Sequence, residues 1–299
     1  MENAILLSGS SGLIGRELCA ALIRDDVPVH QLVRHPVHAQ TRNAAWDVDA
    51  GLIEAEKCSG LRAVVHLAGE PIAARKWTPE QKERIRNSRV NGTRLLAETL
   101  ANAVEKPEVF VCASAIGFYG SRGNEILTEA SAAGEGFLAE VTRDWEVAAQ
   151  PAREAGIRVV HARFGIVLSP EGGALAKMLP AFKLGLGGRL GDGTSWMSWI
   201  ALPDAVAALR HLIDTPELSG PVNVTAPEPV TNYTFTKTLG EVLHRPTILP
   251  APAGVLRTLL GEMGEALLLG SARVQPTRLQ ESGFTFQMPR LAEALKALL

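Results

Sequence analysis

The sequence predicts an α/β protein: a doubly wound parallel sheet, with a smaller, mostly helical region in the second half. Three observations predict it. Short apolar runs alternate with helical patterns from residue 4 to about residue 162, the rhythm of parallel strands joined by crossover helices. A turn containing three glycines follows the first run and opens the first helix. The alternation then stops near Phe164, where glycine and proline clusters set in.

Residues 4–8 are a short apolar run, suited to a strand covered on both faces. Residues 13–24 bring Leu13, Ile14, Leu18, Ala21 and Leu22 onto one helical face. Residues 27–33, 63–67, 109–113 and 158–162 read as further strands, and 79–103 and 137–154 as the helices between them. Thr78 followed by Pro79 is a helix cap with proline in the first turn. In the second half, residues 185–193 are glycine-dense loop, and prolines cluster at Pro227/Pro229 and Pro250/Pro252. Helical patterns recur at 203–213, 231–243 and 290–299.

Composition narrows the partners. With 299 residues, 46% of them hydrophobic, the chain can bury a large core. Thirty basic against 32 acidic residues leave a net charge of -2, so no basic surplus points to nucleic acid. No apolar run reaches the length of a membrane span, and the first strand pattern begins at residue 4 with no leader-like stretch before it. Cys19, Cys58 and Cys112 form no C-x-x-C pair and no zinc spacing with histidine. The expectation is three reduced thiols, no metal and a cytoplasmic location.

The glycine turn reads Gly9-Ser10-Ser11-Gly12-Leu13-Ile14-Gly15. Between a strand and a helix, such glycines permit a tight turn, bring backbone close to a pyrophosphate and let the helix pack near the strand. Backbone N–H groups at the helix start then receive negative charge. The second strand ends about twenty residues on, so the turn stands in the context that a dinucleotide site requires. An acidic residue at that strand end would bind a ribose 2′-hydroxyl. The chain has Arg34-His35 instead, with Arg42 beyond, and a guanidinium suits a 2′-phosphate. NADP is therefore expected over NAD; the alternative is that Arg34 is only a solvated surface arginine.

With these residues in place the chain resembles the extended short-chain dehydrogenase/reductase superfamily. Within it, the chain is similar to an atypical branch described as nucleoside-diphosphate-sugar epimerases. The resemblance runs nearly the whole length. Val65-His66-Leu67-Ala68-Gly69 resembles the cofactor-flanking turn, and Ser88-Arg89-Val90-Asn91-Gly92-Thr93 the helix motif with asparagine. The stretch from Ala113 to Gly120 resembles the strand with the active-site serine or threonine. Arg163-Phe164-Gly165-Ile166-Val167-Leu168 and Trp196-Met197-Ser198-Trp199-Ile200 resemble later landmarks. The tail from residue 276, with Gly283-Phe284, resembles the branch's small C-terminal module. The resemblance implies a Rossmann-type NADP-binding domain over 1–165 that later strands can join, a substrate-side region over 166–275 and the module over 276–299. It implies that Gly9 to Gly15 hold the pyrophosphate and Arg34 the 2′-phosphate. Leu67, Ala68 and Gly69 would line the nicotinamide ribose, with Arg84 and Arg89 contributed by the 79–103 helix or else left on its surface.

One part of the pattern is missing. Ordinary members exchange a proton through a Tyr-x-x-x-Lys pair on the helix after the serine strand, the lysine lowering the tyrosine pKa. The corresponding positions here are Phe137 and Val141, which carry neither an acidic proton nor a charge. Tyr233 and Lys237 match the spacing but lie in the second half. Ser114 and Tyr119 remain as catalytic candidates, with Glu70 nearby; Tyr119 is read either as acid/base or as a structural tyrosine. Two functions stay open. One is an NADP-dependent oxidoreductase or epimerase on an unidentified small molecule, with the 185–193 loop, Arg189, Trp196 and Trp199 at its substrate cleft. The other is a non-catalytic NADPH sensor or regulatory protein. Homodimer formation through the two long helices is a further expectation.

Overall fold

The computed structural model describes residues 3–34 and 42–299. His35 lies outside the described residues. β1 (Ile5–Ser8) buries all four side chains, as a strand covered on both faces must. β2 (Val29–Val33), β3 (Ala44–Asp47), β4 (Leu52–Ile53), β5 (Ala63–His66) and β6 (Val109–Ala115) follow. Next come β7 (Ile126–Leu127), β8 (Arg158–Phe164), β9 (Ile166–Leu168), β10 (Trp196–Met197), β11 (Trp199–Ala201), β12 (Gly220–Val224), β13 (Val230–Thr231) and β14 (Arg273–Val274). One sheet has the order β12-β8-β6-β5-β1-β2-β3-β4, parallel throughout except between β3 and β4.

The chain leaves β1 in both directions. β2 and β3 lie on one side, β5 and β6 on the other. The carboxyl ends of β1 and β5 therefore bound a crevice where the strand order reverses, the place where open α/β sheets take ligands. β12 adds to β8 in parallel, with Val222 opposite Ala162, so the sheet draws a strand from well beyond residue 165.

The helices are α1 (Leu13–Arg24), α2 (Pro79–Ala101), α3 (Phe137–Val147), α4 (Gln150–Glu154), α5 (Gly173–Lys183), α6 (Leu202–Asp214) and α7 (Asn232–Leu243), followed by shorter ones. Thr78 caps α2, its Oγ1 accepting from the Gln81 N–H at 3.2 Å, with Pro79 in the first position. The helix expected over 137–154 is two helices. Pro151 has no N–H to continue the ladder, and the chain breaks at Ala148–Ala149.

Packing of the second half explains the environment of Trp199. α5, α7 and the closing helix Leu291–Leu298 share a core with Trp199 and Phe235. Trp199 is fully buried and donates Nε1–H to the Glu228 carbonyl, so it belongs to this core and not to a cleft. The tail is fixed by buried Asp204 at the start of α6, whose carboxylate accepts from the N–H groups of Gln287 (2.8 Å) and Met288 (2.9 Å).

Candidate functional site

The glycine turn fills the crevice edge. Gly9 has φ +72, and a Cβ there would stand 2.7 Å from the Leu67 carbonyl carbon and 2.8 Å from the Ala68 nitrogen. A Cβ on Gly15 would stand 2.2 Å from the Gly9 oxygen. Both positions press backbone on backbone, which explains glycine at each. Gly12 differs: it is exposed, its φ is -74, and a Cβ would meet the Gly9 oxygen at 3.3 Å. Gly12 is also the N-cap of α1 and offers no side-chain cap, leaving first-turn N–H groups at Leu13 and Ile14 for an anionic ligand. Ser10 is half-buried and Ser11 exposed beside them. This cradle fits a pyrophosphate.

β1 and β5 are tied at the same edge. The Ser8 hydroxyl lies 2.6 Å from His66 Nδ1 and accepts from the Leu67 and Ala68 N–H groups; with both lone pairs taken, its own hydrogen goes to Nδ1. That hydrogen bond places the His66 proton on Nε2, which is buried without a partner. Burial, reinforced by the Arg89 charge, lowers the His66 pKa to about 4, so the ring is neutral. Leu67, Ala68 and Gly69 continue past β5, and Glu70 is anchored to α2 by Ser88 and Gln81. Arg89 reaches back from α2. Its Nη1 donates to the carbonyls of Glu70 (3.0 Å) and Ile85 (3.1 Å), and a Cβ on Gly69 would lie 3.4 Å from its guanidinium carbon. Arg34 is exposed one residue past β2. Arg84 is exposed on α2, near Glu80 and on a different face from Arg89.

Ser114 belongs to a buried polar network. Continuing the β5–β6 register past His66 and Cys112 puts Ser114 level with Ala68. Its hydroxyl donates to Glu146 Oε1 at 2.7 Å. Glu146, from α3, also accepts a bidentate pair from Arg163 on β8, Nε at 2.7 Å and Nη2 at 2.8 Å. Burial pushes the Glu146 carboxyl up, but the Arg163 hydrogen bonds outweigh it and hold the carboxyl below its ordinary value. Arg163 Nη1 donates to the Tyr119 hydroxyl at 3.0 Å, and that hydroxyl donates to Asn223 Oδ1 at 2.7 Å.

Tyr119, one of the two catalytic candidates, has the surroundings of a structural tyrosine. It is fully buried, both hydrogen bonds go to protein, and burial raises its pKa. Phe137 and Val141 also pack against protein groups. Phe137 meets Trp77 edge-to-face at 5.1 Å with Lys82 Nζ 4.6 Å from its ring, and Val141 is buried. Lys82 also pairs with Glu262 at 2.9 Å, linking α2 to the C-terminal part. Tyr233 is half exposed on α7 with its N–H on the Gly193 carbonyl, and Lys237 lies 5.7 Å from its ring. Trp196, Gly193 and Tyr233 line a separate groove of about 650 Å³. Arg189 is exposed beside it.

The comparisons with known proteins agree with this architecture. Residues 5–225 match the NAD dependent epimerase/dehydratase family, and residues 251–298 match a domain of unknown function, DUF1731. The chain belongs to the NAD dependent epimerase/dehydratase family. Within that family it is 43% identical over 296 residues to epimerase family protein Mb2239 of Mycobacterium bovis, covering 99% of this chain and 97% of that one. It is 38% identical to the chloroplastic SDR39U1 homolog of Arabidopsis thaliana, covering 100% and 87%. Its fold is similar to that of human epimerase family protein SDR39U1, solved with NADPH: TM-score 0.90 at 30% identity, covering 99% and 98% of the two chains. The DUF1731 match begins at residue 251 and takes in the small C-terminal module expected over 276–299.

Sequence reasoning missed Glu146, Trp77 and Lys82. A signal existed for the first. Arg163 is a charge between Ala162 and Phe164 near the end of β8, and a buried guanidinium demands a carboxylate partner.

Proposed function

We propose that the protein binds NADP(H) and exchanges a hydride between the nicotinamide and an unidentified small molecule, as an oxidoreductase or epimerase-type enzyme without the usual tyrosine and lysine. The observation that carries the cofactor reading is the Gly9–Gly15 cradle on the β1/β5 crevice, with Gly9 and Gly15 in backbone contact and the α1 N-terminus uncapped. The NADPH in the structure of the similar human protein supports the choice of cofactor, and Arg34 offers the 2′-phosphate a guanidinium. When bound, the cofactor supplies hydride chemistry. The protein's own residues position it: Leu67, Ala68, Gly69 and Arg89 along the nicotinamide side, Ser10 to Gly15 at the pyrophosphate. Ser114, its hydrogen committed to Glu146, turns its free lone pairs to a ligand group that donates a hydrogen bond.

A second reading, an NADPH sensor without chemistry, is favoured by one observation: Tyr119 is sealed and Phe137 stands where a proton donor is expected. Titration with NADPH followed by turnover on a panel of carbonyl compounds and sugar nucleotides separates the two. Turnover lost in Ser114→Ala supports the enzyme. Tight NADPH binding without turnover on any compound supports the sensor. The proposal includes a cytoplasmic location, which suits three free thiols, and pairing of two copies through α2 and α3, which a light-scattering mass tests. No helix among the described residues is long and apolar enough to cross a membrane.

A further inference from the structure

We propose that Arg89 supplies, from α2, the positive charge that ordinary members of the superfamily place on α3, and that this charge makes the site prefer the reduced nicotinamide over the oxidised one. The inference rests on the NADP(H) reading above and assigns a role within that site.

Three observations converge on Arg89. First, α3 places no cation at positions 141 and 145, and its one arginine, Arg143, is exposed. Val141 is 2% exposed, and one turn further on Trp145 is 6% exposed with its Nε1–H on Thr93 Oγ1. Second, the Arg89 guanidinium occupies the space over that face. Its carbon lies 5.1 Å from the Trp145 ring centroid on one side and 3.4 Å from where a Gly69 Cβ would stand on the other. A side chain at position 69 would therefore crowd the guanidinium, so Gly69 and Arg89 fit each other. Third, the guanidinium is only partly used. Nη1 carries both of its hydrogen bonds, to the Glu70 and Ile85 carbonyls, while Nε and Nη2 have no hydrogen-bond partner among the described residues.

The charge is also not neutralised locally. No carboxylate forms an ion pair with Arg89 among the described residues, and the Glu70 carboxylate accepts from Gln81 Nε2 instead. Burial lowers the Arg89 pKa to about 10, with Glu70 opposing that shift, so the group is a cation at neutral pH. Its field already reaches the β5 strand end, where it helps hold His66 neutral.

The oxidised nicotinamide ring is a cation and the reduced ring is neutral. A fixed guanidinium beside the crevice repels the first and leaves the second unaffected. Two like charges under about 10 Å apart in a half-buried site change a binding constant by roughly five- to tenfold. The pyrophosphate cradle and the 2′-phosphate contact are common to both redox forms. They cancel in the ratio of the two dissociation constants, so a merely structural defect does not move that ratio.

The test is the ratio Kd(NADP+)/Kd(NADPH), measured by calorimetry at one pH and salt concentration on the full-length protein. Wild type is expected to give a ratio well above one. Arg89→Gln should lower the ratio about five- to tenfold. Arg89→Lys should weaken both forms but keep the ratio, because the ammonium retains the charge and loses the planar fork. Arg34→Ala should weaken both forms equally. A wild-type ratio at or below one, an unchanged ratio in Arg89→Gln, or loss of the ratio in Arg89→Lys would overturn the assignment. If wild type binds neither form, the NADP(H) reading itself fails. A melting curve for each variant confirms that it is folded, and Arg89→Lys decides the question should Arg89→Gln not fold.

Discussion

The three glycines of the N-terminal turn should respond to alanine in a fixed order, and that order separates the fold from the ligand. In Gly15→Ala the new Cβ meets the Gly9 oxygen at 2.2 Å, the Gly9 carbonyl carbon at 2.9 Å and the Ser10 Cα at 2.9 Å. All three are backbone atoms, so no side chain can swing away and the turn itself must open by about an ångström. Overpacking of this kind costs about 1–3 kcal/mol, and a backbone obstacle puts Gly15→Ala near the upper end. Gly9→Ala meets Leu67 and Ala68 backbone at 2.7–2.9 Å and adds a left-handed φ of +72, worth roughly 1–2 kcal/mol more. Gly12→Ala has one contact at 3.3 Å and an ordinary φ, so it should cost under about 1 kcal/mol, mainly as a poorer cap. Urea unfolding gives the three values. NADPH titration should then show Gly12→Ala folded but weakened, because its methyl group occupies the surface where the pyrophosphate is placed. Equal stability of Gly15→Ala and Gly12→Ala would refute the backbone argument. Undiminished NADPH affinity in Gly12→Ala would refute the placement of the pyrophosphate.

Four further outcomes are expected. Glu146→Ala leaves the Arg163 guanidinium, 3% exposed, without its carboxylate, and unfolding curves should show a loss of about 3–5 kcal/mol, whereas Ser114→Ala keeps the ion pair and loses less. His66 and His161 are both neutral in the fold with pKa values lowered to about 4 by burial, against an ordinary 6.5. The unfolded chain therefore takes up more protons, so their contribution is whole above pH 6.5 and is lost as pH falls from 6.5 towards 4, by roughly 3 kcal/mol each; His66→Gln should flatten that slope. Burial pushes the Cys58 and Cys112 thiols up to about 12, so a thiol reagent at pH 8 should label the native protein at Cys19 alone and all three cysteines in denaturant. Phe137→Tyr should fold normally, since Phe137 is half-buried, while Val141→Lys should lose several kcal/mol by burying an unpaired ammonium, both read from melting curves.

The central sheet was legible because its strands carry their own signal. The runs at β1, β5 and β6 are apolar on both faces, and no helix of that length would end where the glycines and prolines fall. β3 and β4 were not legible: Ala44–Asp47 has no alternation and Leu52–Ile53 is two residues long, and both owe their pairing to the edge of a sheet already built. α5 was hidden by Gly172, Gly173 and Pro180, which read locally as breakers. In the site, the glycine turn could be read because backbone contact dictates residue type at Gly9 and Gly15. The environment of Tyr119 could not. Its two partners, Arg163 and Asn223, lie 44 and 104 residues away, and only the pairing of β6 with β8 and β8 with β12 brings them together.

That pairing bears on the proposed absence of a Tyr-x-x-x-Lys pair. Where the helix after the serine strand would offer a phenol and an ammonium, α3 presents Phe137, Val141 and Trp145, and its one carboxylate near the sheet, Glu146, turns inward to Arg163. A phenol at 137 would face Trp77 and Lys82, and a lysine at 141 would have no water and no carboxylate. Tyrosine at 137 and lysine at 141 would therefore not make a working pair, since neither position has the surroundings for it. Polar groups at the carboxyl edge among the described residues include Ser114, held as an acceptor by Glu146, and Arg89, a cation with two open donors. An acceptor and a cation can orient a ligand and bias the redox state of a nicotinamide, but neither gives up a proton at neutral pH. On the oxidoreductase reading, a proton exchanged in the reaction then passes to or from the substrate itself or water, and a solvent isotope effect on turnover of the wild-type protein is the corresponding expectation.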